Sequence, residues 1–246
     1  MNKLVCRVAW IWCFGMASSH GDQWVEGTSQ PKERITISSP VEEIVESVPV
    51  KEGQVVEEGA VLATLFSTRE QLEVKRLGFL IAKAAADVAM SRDLFAKGIQ
   101  KKSDLNEKEA EFKRLEVERE MAQFAVDQRV IKAPVAGTVV YRLKDPGEAI
   151  GRVEPLFEII DASTLKLVFF LSTKHLPVLK DGMVAEVTFP EVPAIVGQSA
   201  KLVFIDPQLD SRSGLFRVRF EFDNREHKIK PGVRVKLKLP EMEGTQ

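Results

Sequence analysis

The sequence predicts a mainly β protein interrupted by one long α-helical hairpin. Three observations carry this. A β-like segment occurs twice at a fixed offset, the residues between the copies have helical periodicity, and the last third is a series of short alternating runs.

The chain opens on Lys3 and Arg7, an apolar run from Val8 to Ala17, and the small residues Ala17-Ser18-Ser19. This is the pattern of a secretory signal over residues 1–19. A membrane span needs roughly 20 apolar residues, and this run is shorter. Both cysteines, Cys6 and Cys13, lie inside it, so the exported chain is expected to have no disulfide and no thiol chemistry. Neither cysteine has the Leu-x-Ala/Gly context of a lipidation site. The segment 20–36, with strand-like Arg34–Ser38, is expected to add to the C-terminal β-domain.

Residues 37–65 and 131–159 align without a gap at an offset of 94. Ile37 falls on Ile131, Pro40 on Pro134, Val45 on Val139, Gly53 on Gly147, Val56 on Ile150, Leu62 on Leu156 and Leu65 on Ile159. Each copy alternates apolar and polar residues, as short strands with one buried face do. Two such halves can bury those faces against each other. Gly53, Gly137 and Gly147 are expected to serve turns that need positive φ. Half-modules are placed at 37–67 and 129–160.

Residues 68–128 contain no proline. Leu77, Leu80, Ala84, Val88, Ser91 and Phe95 recur at helical spacing, as do Leu105, Phe112, Leu115, Ala122 and Val126. Gly98 separates the two series, and Asp104 with Glu107 resembles a capping box that restarts a helix. The insert reads as a coiled-coil-like hairpin about 40 Å long. Its twelve basic and twelve acidic residues balance, but 92–102 holds Arg92, Lys97, Lys101 and Lys102 against Asp93 alone. Positive charge therefore gathers at the tip.

Beyond residue 160, the runs 165–171, 183–189, 200–206, 215–222 and 233–239 are β-rich. They are separated by turn signals such as Ser213-Gly214 and Lys230-Pro231-Gly232. A small β-barrel over 161–240 follows, with Pro231 and Gly232 at its last turn and a short tail at 241–246.

Nothing catalytic emerges. His20, His175 and His227 are scattered, and no His-Glu-x-x-His, Gly-x-Ser-x-Gly or phosphate-binding loop occurs. Glu57-Glu58 are neighbours in a turn. The six methionines are dispersed, so no soft-metal site is expected. A net charge of −1 argues against nucleic acid. The expectation is a non-enzymatic protein with no metal, cofactor or catalytic residue. Lacking a phosphate loop, it must rely on a partner to power any transport.

The repeat, insert and tail together resemble the bacterial membrane fusion proteins, the haemolysin-D-like periplasmic adaptors of tripartite efflux systems. The most specific stretch runs from Gly197 to Val235, which is similar to that family's barrel signature with its closing Pro-Gly. The resemblance implies a lipoyl-like (barrel-sandwich hybrid) domain split by a coiled-coil α-hairpin and followed by a β-barrel. It implies a periplasmic protein that links an inner-membrane pump of RND or ABC type to an outer-membrane TolC-like channel, as a homo-oligomeric ring. The tip residues Arg92, Phe95, Lys97, Gly98, Ile99, Lys101, Lys102 and Ser103 would meet the channel.

The sequence departs from the family pattern in three ways. Glu43 stands where the second copy keeps Gly137. The family's tip pattern of Arg, Leu and Ser is met only in part, by Arg92 with Ala96 and Ser103, or by Met90 with Leu94 and Lys101. A further membrane-proximal β-domain is expected to be absent or much reduced. Two other readings compete. A lipoyl- or biotinyl-type acyl carrier would show its modified lysine where this chain inserts helices. A structural envelope coiled-coil protein would not explain the barrel signature.

Overall fold

The protein is described here from a computed structural model that covers residues 24–193, 195 and 197–240. The expected signal segment 1–19, His20 and the tail 241–246 lie outside the described residues. In chain order the elements are β1 (Trp24–Ser38), β2 (Glu43–Ser47), β3 (Val55–Val56), β4 (Val61–Leu65), α1 (Thr68–Ala96) and α2 (Lys102–Asp127). They continue with β5 (Val130–Lys132), β6 (Gly137–Arg142), β7 (Ala149–Ile150) and β8 (Pro155–Ser172). A short 3-10 helix (Thr173–Val178) leads to β9 (Val184–Thr188), β10 (Gln198–Ile205), β11 (Leu215–Asp223) and β12 (Arg234–Lys238). The chain divides into two compact units: 29–166 with 222–232, and 24–28 with 167–221 and 233–240.

In the first unit the repeat folds as a pair of interlocked halves. Strand β3 of the first copy pairs with β6 of the second, Val55 opposite Thr138 and Val56 opposite Gly137. The mirror pairing joins β7 to β2, Ala149 opposite Ile44 and Ile150 opposite Glu43. Hydrogen bonds repeat with the same 94-residue offset: Gly53 N–H donates to Val139 O and Gly147 N–H to Val45 O, each at 2.8 Å. Gly59 N–H to Ala133 O and Val153 N–H to Ser39 O, again at 2.8 Å, form a second such pair. Ile37, Val45, Val56, Leu62 and Leu65 and their counterparts Ile131, Val139, Ile150, Leu156 and Ile159 are all buried in one core. Burying each such side chain contributes about 1.5–3 kcal/mol. Gly53 and Gly147 have φ of +80° and +91°, as turns require.

Gly137 corrects the expectation of a turn. It lies within β6, and a Cβ there would sit 2.5 Å from Ile160 O and 2.8 Å from Ile159 Cγ2. Glycine is needed because two backbones approach closely, and no left-handed conformation is involved.

Helices α1 and α2, inserted between β4 and β5 of the same unit, form an antiparallel pair. Leu77, Ala84 and Leu115 form its buried seam, with Ile81, Phe112 and Ala122 packed against them. Lengths of 29 and 26 residues give rods of about 40 Å. No described helix is long and apolar enough to cross a membrane.

In the second unit β1, β12, β9, β10, β11 and β8 form a closed six-stranded barrel, completed by pairing of β1 with β8. The interior follows a two-residue period: Leu167, Phe169 and Leu171 from β8, Phe216, Val218 and Phe220 from β11, and Val235 and Leu237 from β12 are buried. Phe169 and Phe220 meet edge to face at 5.8 Å. The β1 residues paired with β12 are Trp24–Thr28, whereas Arg34–Ser38 belongs to the unit that carries the repeat. Gly232 has φ of +100° directly after Pro231, in the turn before β12.

Candidate functional site

The hairpin tip is built by one helix end. Gly98 takes φ of +72°. Its N–H donates to Phe95 O at 2.9 Å, and Ile99 N–H donates to Leu94 O at 3.0 Å. These two bonds make a Schellman motif, which ends α1 and turns the chain within a few residues. The turn is so tight that α2 restarts at Lys102. Asp104 therefore lies in the first turn of α2 and is not its cap, which corrects the capping-box expectation. Lys101 takes the cap position in an extended conformation and makes no side-chain cap bond. The Asp104 carboxylate still suits the positive end of the helix dipole, and it accepts a bond from Ser103 Oγ at 2.9 Å.

The tip cations are not equivalent. Arg92 Nη2 reaches Glu109 across the helices at 2.7 Å, and Lys97 Nζ reaches Asp93 at 2.5 Å. Lys101 and Lys102 have no ion-pair partner among the described residues. Beside them Ile99 is 71% exposed and Phe95 39%. The end of the rod therefore presents one bare aliphatic side chain, one half-open ring and two uncompensated ammonium groups.

The root of the hairpin holds a residue that sequence reasoning missed. Arg129 is largely buried just past α2. Its Nη2 pairs with Glu70 of α1 at 2.8 Å and approaches Glu43 of β2 at 3.8 Å, and its Nη1 donates to Ala125 O at 2.6 Å. One guanidinium thus ties the start of α1, the end of α2 and a β-strand together. Glu43, the departure from the repeat, faces it. The only signal in the sequence was that a glutamate broke the glycine pattern.

Among the described residues no group of three His, Cys, Asp or Glu side chains could hold a metal ion. His175 is buried in the short 3-10 helix; its Nδ1 has no hydrogen-bond partner, and burial lowers the imidazole pKa below its usual value.

Comparison with known proteins agrees with this arrangement. Residues 33–161 match the family described as CzcB-like, barrel-sandwich hybrid domain, and residues 171–243 match the CusB-like β-barrel domain. The chain therefore belongs to the membrane fusion proteins, the non-enzymatic adaptor family of efflux systems. It is 23% identical over 192 residues to the uncharacterized protein YdhJ of Escherichia coli, covering 73% of this chain and 66% of that one. It is 24% identical over 204 residues to the cation efflux system protein CzcB of an Alcaligenes strain, covering 70% of this chain and 39% of that one. The match thus spans only part of these relatives. Among solved structures, a MacA-MexA chimera with the Pseudomonas aeruginosa MexA α-hairpin superposes with a TM-score of 0.77 at 17% identity, over 89% and 79% of the two chains. The membrane fusion protein Spr0693 of Streptococcus pneumoniae gives 0.71 at 17% identity, over 89% and 99%.

Proposed function

We propose that this chain is a periplasmic adaptor that joins an inner-membrane pump of RND or ABC type to an outer-membrane TolC-like channel in a tripartite export system. It is exported by its N-terminal signal and works as a homo-oligomeric ring. The rigid hairpin spans toward the channel, and the barrel domain meets the pump. The observation that carries this reading is the tip, where a Schellman turn presents Ile99 and the unpaired Lys101 and Lys102 at the end of a rod of about 40 Å. An exposed apolar knob ringed by cations suits an acidic rim, where complementary charge steers encounter and fixes register.

The test reverses Lys97, Lys101 and Lys102 to Glu. Cross-linking of the tip to the channel should be lost while the melting curve is unchanged, because exposed charges typically alter stability by less than about 0.5 kcal/mol. Reversing Lys101 and Lys102 alone should have most of the effect, since Lys97 is already paired with Asp93. Undiminished cross-linking in the triple variant would move the channel contact away from these lysines.

A further inference from the structure

The outer wall of the barrel unit carries a cleft of about 410 Å³, a volume within the range of small-molecule sites. Its apolar side is made by Phe170 of β8, Leu209 of the β10–β11 loop and Leu215 of β11. Phe170 is 57% exposed and Leu209 44%. The alternation of β11 sets the arrangement. Phe216, Val218 and Phe220 point into the barrel and are buried, so Leu215, Arg217 and Arg219 stand in a row on the outside. That row runs from apolar to cationic.

The loop that walls the cleft is fixed by its own hydrogen bonds. Asp206 N–H donates to Arg217 O at 2.8 Å, Asp210 N–H to Leu215 O at 2.9 Å and Gly214 N–H to Asp210 O at 2.8 Å. The Asp210 carboxylate accepts Arg212 N–H at 2.9 Å and Ser213 Oγ–H at 3.0 Å. Leu209 is thus held in place before any ligand arrives, which lowers the cost of binding.

Charge singles out one residue. Arg217 pairs with Asp206 at 3.2 Å, and Lys201 stands opposite Glu221 across β10 and β11. Asp210 is engaged by its own loop, beside exposed Arg212. Arg219 has no ion-pair partner among the described residues, and its Nε–H is buried without an acceptor. Its guanidinium carbon lies 5.2 Å from the centre of the Phe204 ring, and that of Arg217 lies 5.5 Å from the same point. Stacking on a ring fixes the plane of a guanidinium and leaves its edge to donate paired hydrogen bonds to a carboxylate.

We propose that this cleft binds a small amphiphilic carboxylate, with its apolar body against Phe170, Leu209 and Leu215 and its anionic end on Arg219. The ligand is an anion because the charge left without a counter-ion is positive. It is small because the cleft has the volume of a single drug-sized molecule. This goes beyond the adaptor reading, which gives the barrel only a protein partner.

The test titrates the full chain with naphthoate, naphthylmethanol and naphthylmethylammonium, which share one apolar body and differ in charge, and reads binding by calorimetry. Naphthoate should bind saturably and about ten-fold more tightly than the alcohol, the worth of a charge-assisted hydrogen bond. Arg219→Gln should remove that advantage and leave the affinity for the alcohol unchanged. Leu209→Ser, on the exposed loop, should weaken acid and alcohol alike. Equal affinity for acid and alcohol in the unaltered protein, a comparison that needs no variant, would overturn the proposal. Tighter binding of the amine would also overturn it and assign the cleft to Asp206 and Asp210. Absence of saturable binding by all three probes would overturn it too and leave this face to a protein partner.

Discussion

Residues 37–65 and 131–159 fold as the same half-module, yet two of the positions at which they differ set them apart structurally. Position 43 is glutamate where 137 is glycine, and position 153 is valine where 59 is glycine. The first difference follows from what the chain does next. In the first copy it leaves the sheet after Leu65 and enters α1, so a side chain at 43 has room and reaches Arg129 at the root of the hairpin. In the second copy β8 runs on to Ser172, and the Ile160 carbonyl fills the space a Cβ would need. The second difference stores strain. Gly59 has φ of +81° and Val153 +65°, a conformation costly for a β-branched residue. The matched apolar residues build the core, and Glu43 is the unmatched residue that faces the root of the hairpin.

Exchanging the residues between copies should expose this asymmetry. Gly137→Glu forces a side chain into Ile159 and Ile160 and should cost about 3 kcal/mol or more by chemical denaturation. Glu43→Gly, the reverse change, should cost about 1 kcal/mol or less. Equal effects would mean that the copies are interchangeable. Arg129→Met should come next, at about 1–3 kcal/mol, because it strands Glu70 and frees the Ala125 carbonyl. Amide exchange should then quicken at both ends of the hairpin and stay slow at Val45 and Val139.

Smaller effects follow at the strained turn. Val153→Gly should stabilise by about 1 kcal/mol and Gly59→Val destabilise by a similar amount, since a Cβ at 59 meets nothing within 4 Å and only the backbone objects. The smallest concerns Glu154, which has no counterpart at Ala60. It accepts the Gly151 N–H at 2.6 Å and pairs with Lys144 at 2.7 Å, and these hold its carboxyl below the usual carboxylate range, the backbone bond most. A carboxyl lowered in the folded state adds stability above its unfolded value of 4.5, and that contribution is lost as pH falls through the folded value. Glu154→Gln should therefore lower stability slightly at neutral pH, flatten the acid limb below about pH 4.5, and leave the two proteins alike at the acid end of the profile.

The halves and the hairpin were legible because burial imposes a period, two in the strands and 3.6 in the helices. The Ile37 to Leu65 pattern and the Leu77-Ala84-Ser91 line both report a buried face directly. Gly137 was misread because a glycine needed for close approach looks the same in sequence as one needed for a turn. The helix restart at Lys102 escaped because a backbone motif at Gly98 set it, while Asp104 offered a side-chain decoy. Arg129 escaped because its partner Glu70 lies 59 residues away.

A hairpin that is a modular strut should be set into a β-unit that folds without it. The structure offers a clean excision point, because β4 and β5 are already paired antiparallel where the helices leave, with Thr64 opposite Val130 and Leu65 N–H bonded to Arg129 O at 2.8 Å. Residues 68–128 can be replaced by an Asn-Gly turn, which suits such a junction. The most direct measurement compares cooperative unfolding of this variant with its transport activity in cells. A single sharp β-type transition with transport abolished is the expected result. An unfolded variant, or one that still supports transport, would contradict it.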